Sequence, residues 1–310
     1  NAPAPAEIYL LPQHAALPVC VAMSADSVTQ LIVRLGLERL ENDYFRGRGL
    51  DIGPRHVFGG QVLGQALSAA QQTVAAERPA HSLHAYFLRA GDIEAPILYQ
   101  VERTRDGGSF SSRRVVAVQH GQPILHASVS FQIEEAGFEH SQAMPEVLSP
   151  AQLPERLNVA PEVLAKLPPR YRRWFSSDAP FEFRLADPDI NPLSPAPRPP
   201  RQQIWLRLRH PIEGSPDLHR SLLAYASDFN LLLTSTLPHG VHVMTPRMQM
   251  ASLDHALWFH RPPRVDQWLL CDFDSPIARG GRGFARCQIF DEAGQLVASS
   301  AQEGLIRLHA

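Results

Sequence analysis

Two parts of this 310-residue chain repeat one another at a single spacing. Tyr86-Phe87-Leu88-Arg89 matches Trp258-Phe259-His260-Arg261, Arg114 matches Arg286, and Ile124-Leu125-His126-Ala127-Ser128-Val129 matches Leu296-Val297-Ala298-Ser299-Ser300-Ala301. The separations 259−87, 286−114 and 296−124 are all 172. One spacing held across about 40 residues marks a tandem duplication. Whatever one copy folds into, the other must fold into as well.

Each copy reads as one helix followed by a strand meander. In the first, Ser24 and Asp26 can cap a helix with Val28, Leu31, Ile32 and Leu35 on one face, stopped near Gly36. Val57-Phe58-Gly59-Gly60-Gln61 opens a second helix of small and apolar residues. Strands follow over His84–Arg89, Ile97–Arg105, Arg113–Val118 and Ile124–Gln132, separated by Gly-containing turns. In the second copy, Ile204, Leu206 and Leu208 alternate as a strand, and Leu222 to Asn230 (LLAYASDFN) reads as an apolar helix. Strands are expected at Val241–Met250, Leu253–His260, Trp268–Phe273, Phe284–Phe290 and Leu296–Ile306. The helices do not keep the spacing of 172, so the helix-to-sheet connections differ in length. The expected class is α+β, each repeat a central helix wrapped by an antiparallel sheet.

The expected organisation is an unstructured N-terminal extension over 1–22, a first domain over 23–135, a Pro-rich linker over 136–200 and a second domain over 201–310. Thirteen of the 28 prolines fall between Pro145 and Pro200, and within that linker only a short helix near Glu162–Leu167 and packing by Tyr171–Phe175 are expected. The extension lacks the positive n-region of a secretory signal.

Composition excludes several functions. A formal net charge of −2 offers no field for nucleic acid. No apolar run approaches the roughly 20 residues of a membrane span. Cys20, Cys271 and Cys287 have no paired metal spacing, and a cytoplasmic, disulfide-free protein is expected. There is no Gly-x-Ser-x-Gly, no His-Glu-x-x-His, and no phosphate loop; the one lysine, Lys166, lies in the linker.

The distinctive polar set belongs to the second copy: Asp228 in its helix, Ser252 at a strand start and Gln302 in the last strand. A carboxylate can take a proton from water, while a hydroxyl and an amide can hold that water or a carbonyl. Amides at Gly59 and Gly60, at a helix N-terminus, could stabilise an oxyanion or contact substrate; alternatively these glycines, with Gly64, serve tight helix-on-sheet packing. Taken singly, Asp228 is also readable as a cap, Ser252 as a bland hydroxyl and Gln302 as a solvated edge residue. The first copy has Ser130 where a spacing of 172 places Gln302. Asp254 and His255 are adjacent, so on a strand they face opposite sides and form no dyad; His260 reads as a packed histidine.

Val57-Phe-Gly-Gly-Gln-Val-Leu-Gly-Gln-Ala, His81-Ser-Leu-His-Ala-Tyr-Phe-Leu-Arg, Ala226-Ser-Asp, Asp254-His-Ala-Leu-Trp-Phe-His-Arg-Pro and Val297-Ala-Ser-Ser-Ala-Gln-Glu-Gly resemble the acyl-CoA thioesterase II family from Met23 onward. The resemblance implies a tandem (double) hotdog and hydrolysis of fatty acyl-CoA to free fatty acid and CoA. It places the family's catalytic set on Asp228, Ser252 and Gln302, with water attacking and no metal or cofactor. The hydroxyl residue is threonine in some relatives and serine here. A homo-oligomer is expected, since hotdog sheets often pair edge to edge. Alternatives are an enoyl-CoA hydratase on the same fold, which calls for an Asp–His pair not found in the sequence, and a non-catalytic acyl-CoA-binding protein. Met244, Met248 and Met250 could shape an apolar wall.

Overall fold

The structure is a computed structural model. It describes residues 26–53, 55–155, 165, 172, 179–187, 196–243 and 245–309. The extension over 1–22, Ser24, the packing segment Tyr171–Phe175 apart from Arg172, nearly all of the helix near Glu162–Leu167, and Met244 lie outside those residues.

The first half runs α1 (Ser27–Leu35), β1 (Glu38–Glu41), β2 (Tyr44–Gly47), α2 (Gly59–Gln71), β3 (Ala80–Phe87), β4 (Ile97–Asp106), β5 (Phe110–Gln119) and β6 (Gln122–Gln132). The second runs β7 (Phe181–Leu185), β8 (Arg201–Leu208), α3 (Pro216–Ser227), α4 (Leu231–Thr234), β9 (Met248–Ser252), β10 (Asp254–Phe259), β11 (Leu269–Arg279), β12 (Arg282–Asp291) and β13 (Leu296–Leu308). All thirteen strands join one antiparallel sheet in the order β1-β2-β4-β5-β6-β3-β10-β13-β12-β11-β8-β7, with β9 on β13. Residues from Gly60 to Ala70 on α2 and from His219 to Ser227 on α3 are buried almost without a break. Helices hydrophobic all round in this way belong inside a core. Among the described residues no helix is long and apolar enough to cross a membrane.

Strand register shows how the halves are related. Arg114 pairs with Glu102 and Arg286 with Asp274, both residues shifted by 172, and each couple is an ion pair. Both hairpins carry a bulge at the same place, between Arg103 and Arg105 and between Asp274 and Ile277. The two halves meet where β3 pairs with β10, and there His84 lies opposite Ala256, its own counterpart (256−84 is 172). A pseudo-twofold axis therefore passes between them. The helices cross on the same axis. A Cβ on Gly64 would stand 2.8 Å from the Ser221 carbonyl oxygen. The difference 221−64 is 157, as is that between the N-caps Ser215 and Phe58.

Several expectations change. The spacing slips to 173 in the last strand: Ser128 faces Arg114 and His84, whereas Ala301 faces Arg286 and Ala256. The cause is one extra residue in the turn, since Val118 pairs with Pro123 but Phe290 with Leu296. The counterpart of Gln302 is thus the buried Val129, not Ser130. The helix expected over Leu222–Asn230 starts earlier, with Ser215 as N-cap and Pro216 in its first turn, and its last residue is Ser227. Asn230 adopts a left-handed φ of 67° that breaks the helix. No strand covers Val241–Thr245; β9 begins at Met248, after Arg247 at φ 64°.

The stretch 136–200 does more than link. Phe181, Phe183 and Leu185 alternate inward as an outer strand beside β8. Met144, Val147 and Leu153 pack on Trp205, Trp268, Leu270 and Phe290, and the Trp205 indole donates to the Leu148 carbonyl at 2.9 Å. Proline density here reflects a chain laid across the second half of the sheet without hydrogen-bonding into it.

Candidate active site

Asp228 caps the C-terminus of α3. A carboxylate there faces the negative end of a helix dipole and needs donors. They come from two strands. The Gln302 amide on β13 donates from Nε2 to Asp228 Oδ1 at 2.6 Å, and Ser252 Oγ at the end of β9 donates to the same oxygen at 3.4 Å. Gln302 Nε2 also lies 3.0 Å from Ser252 Oγ. Asp228, Ser252 and Gln302, far apart in sequence, converge within hydrogen-bonding reach.

The other oxygen, Asp228 Oδ2, meets the start of α2. A Cβ on Gly59 would stand 2.7 Å from it. The positive end of the α2 dipole thus lies beside the carboxylate. Gly60 has a different task from the one expected: its Cβ would stand 2.2 Å from the Tyr225 carbonyl oxygen. With Gly64, it makes the helix-on-helix crossing of α2 and α3 rather than helix-on-sheet packing.

These groups open on a cavity of about 810 Å³ lined by Gly59, Asp228 and Ser252 and walled by aromatic residues. Phe58 contacts Phe229 (ring centroids 4.5 Å apart) and Tyr225 (5.2 Å), and Tyr225 stacks with Phe181 at 6.0 Å. Met250 lines the cavity too. Such a size and wall suit a ligand with a long apolar part.

His255 is the residue the sequence reading missed. The adjacent pair does split as expected: Asp254 faces outward and accepts from the Glu303 amide at 2.7 Å. His255 points inward, where its Nδ1 lies 4.0 Å from Asp228 Oδ1 and 3.3 Å from Gln302 Nε2. An Asp–His pair therefore exists, contrary to expectation, but with a partner 27 residues away rather than one. Burial holds the imidazole below its ordinary range despite the pull of Asp228. Its Nε2 is occupied by Ser227 Oγ at 2.9 Å, so neither nitrogen is free for substrate. His260 lies elsewhere, bonded to Ser299 Oγ at 2.8 Å.

Under the pseudo-twofold, Asp228, Ser252, His255 and Gln302 correspond to Gln71, Ala80, Leu83 and Val129. The first copy keeps the architecture without the titratable groups. Gln71 instead bonds back to α3, through Ser221 Oγ and the Asp217 carbonyl.

Comparison with known proteins gives a consistent result. The family model described as "Acyl-CoA thioesterase N-terminal domain" matches residues 48–132, and "Acyl-CoA thioesterase C-terminal domain" matches 150–306. The chain is 41% identical to acyl-CoA thioesterase 2 of Haemophilus influenzae over 283 residues, covering 91% of this chain and 99% of that one. It is similar to the crystal structure of an acyl-CoA thioesterase II, TesB2, from Mycobacterium marinum, at 40% identity and TM-score 0.74, covering 91% and 98%. A hot dog fold protein from Alicyclobacillus acidocaldarius shares the fold at 18% identity and TM-score 0.72, covering 91% and 99%.

Proposed function

This chain belongs to the acyl-CoA thioesterase family, a double hotdog hydrolase acting on thioester bonds, and from that premise we propose that it cleaves fatty acyl-CoA to free fatty acid and CoA with water activated by Asp228, Ser252 and Gln302. One observation carries the assignment of roles. Asp228 Oδ1 is held by Gln302 and Ser252, while among the described residues no hydrogen bond reaches Oδ2, which stands beside Gly59 on the cavity. A carboxylate fixed by one oxygen and open at the other is suited to take a proton from water.

The steps follow from that geometry. Water oxygen attacks the thioester carbonyl as its proton passes to Asp228 Oδ2. The amides of Gly59 and Gly60, at the N-terminus of α2, stabilise the oxyanion. The tetrahedral adduct then breaks its C–S bond, and the proton on Asp228 leaves with the CoA sulfur. The aromatic wall takes the acyl chain, burying apolar surface at about 25 cal/mol per Å².

The test is thiol release from acyl-CoAs of increasing length by wild type and Asp228→Asn. The variant is expected to fold and to lose turnover by about 1,000-fold. Wild-type release by a folded Asp228→Asn would remove Asp228 from the reaction. The same reading includes a cytoplasmic homo-oligomer. Since β3 already pairs with β10 inside one chain, the copies would meet through another surface; a monomer mass by light scattering would overturn that part.

A further inference from the structure

We infer that His255 is a positioning residue that fixes which way the Gln302 amide faces, and that Ser227 fixes His255 in the tautomer this requires. The inference rests on the proposed roles of Asp228 and Gln302.

The hydrogens can be assigned from the partners. Ser227 Oγ has one proton and donates it to the Ala224 carbonyl at 3.0 Å. Towards His255 Nε2, 2.9 Å away, it can then only accept. Nε2 must carry the proton, and the neutral ring is left with a bare Nδ1. That lone pair faces Gln302 Nε2 at 3.3 Å, where an N–H is welcome and a carbonyl oxygen is not. Asp228 Oδ1, at 2.6 Å, makes the same demand.

The Asp228 contact alone does not fix the amide. With the proton on Nδ1 instead, the ring would favour the reversed amide, oxygen towards His255, and oppose Asp228. Ser227 removes that competition. Gln302 Oε1 is buried and has no hydrogen-bond partner among the described residues. The locked orientation therefore keeps one acceptor uncommitted next to the carboxylate, available to the second hydrogen of the attacking water. His255 itself does not touch the cavity; it acts through Gln302.

The first copy suggests the variant. Leu83 holds the same place on β3 as His255 on β10, fully buried, so leucine fits this position in the fold. His255→Leu is expected to keep the melting temperature and KM and to lower kcat about 10- to 100-fold. His255→Asn, whose Oδ1 can replace Nδ1 as acceptor, is expected to recover most of that loss. Histidine-selective 15N spectra of the wild-type protein give a readout independent of activity: a bare Nδ1 and a protonated Nε2 for His255, lost as a single tautomer in Ser227→Ala.

Wild-type kcat in His255→Leu, equal losses in folded His255→Leu and His255→Asn, or a protonated Nδ1 would each overturn the inference. Running Asp228→Asn alongside separates the two failures. An active Asp228→Asn defeats the proposed reaction roles, whereas an inactive Asp228→Asn with an unimpaired His255→Leu defeats only the role of His255.

Discussion

Gly59 and Asp228, from opposite halves of the chain, are in contact, with the place of a Gly59 Cβ only 2.7 Å from Asp228 Oδ2. The obstructed atom is the end of a side chain, which can move aside. Gly59→Ala should therefore keep the fold, since alanine suits a helix better than glycine by about 0.5–1 kcal/mol. It should also displace the carboxylate and lower kcat about 100-fold. Thermal melting and thiol release on the same sample check both parts; unimpaired turnover would refute the contact's importance.

Gly60 gives the opposite outcome one residue later. Its Cβ would meet the Tyr225 carbonyl at 2.2 Å, and backbone inside a helix cannot move aside. Gly60→Ala should destabilise by about 1–3 kcal/mol or more as α2 and α3 are forced apart. Urea unfolding measures it, and a midpoint equal to wild type would contradict the crossing.

Ser252 accepts from Gln302 and donates to Asp228. Ser252→Ala removes both contacts and is expected to cost about 1–3 kcal/mol of transition-state stabilisation, read as kcat/KM. Ser252→Thr keeps the hydroxyl and adds χ1 stiffness, so it should stay within about threefold of wild type.

Acid should unfold this protein through its buried histidines. Burial lowers His219 and His255 below the ordinary value, and Asp266 and Asp228 offset this only in part. Below about pH 6.5 the unfolded chain binds protons that the folded chain refuses, so stability falls with pH until the folded-state values are passed. Each histidine contributes at most about 1.4 kcal/mol per pH unit. Melting temperatures measured from pH 8 to pH 5 should decline below 6.5, and His219→Asn should flatten the decline.

What could be read from sequence follows from how local each signal is. The duplication, the meanders and the Asp228–Ser252–Gln302 trio were visible, because strand alternation and motifs occupy consecutive residues. Three things were not. The turn between β12 and β13 is one residue longer, which shifts the last strand out of step and makes Val129, not Ser130, the counterpart of Gln302. His255 looked inert beside Asp254, since its partners Ser227, Asp228 and Gln302 are supplied by a helix end and a neighbouring strand. Phe181–Leu185 was hidden among prolines, and only its pairing with β8 reveals a strand.

The axis between the halves has a consequence for what such a protein can become. In a dimer of identical chains, a residue on the twofold meets its own copy, and any substitution there is made twice, face to face. Here the positions on the axis hold different residues: His84 against Ala256, and Gly64 against Ser221. A large group opposite a small one, or a bare backbone opposite a hydroxyl, is closed to a symmetric pair. Joining the halves in one chain made those combinations accessible. It also let one half give up its reactive groups while still bracing the other.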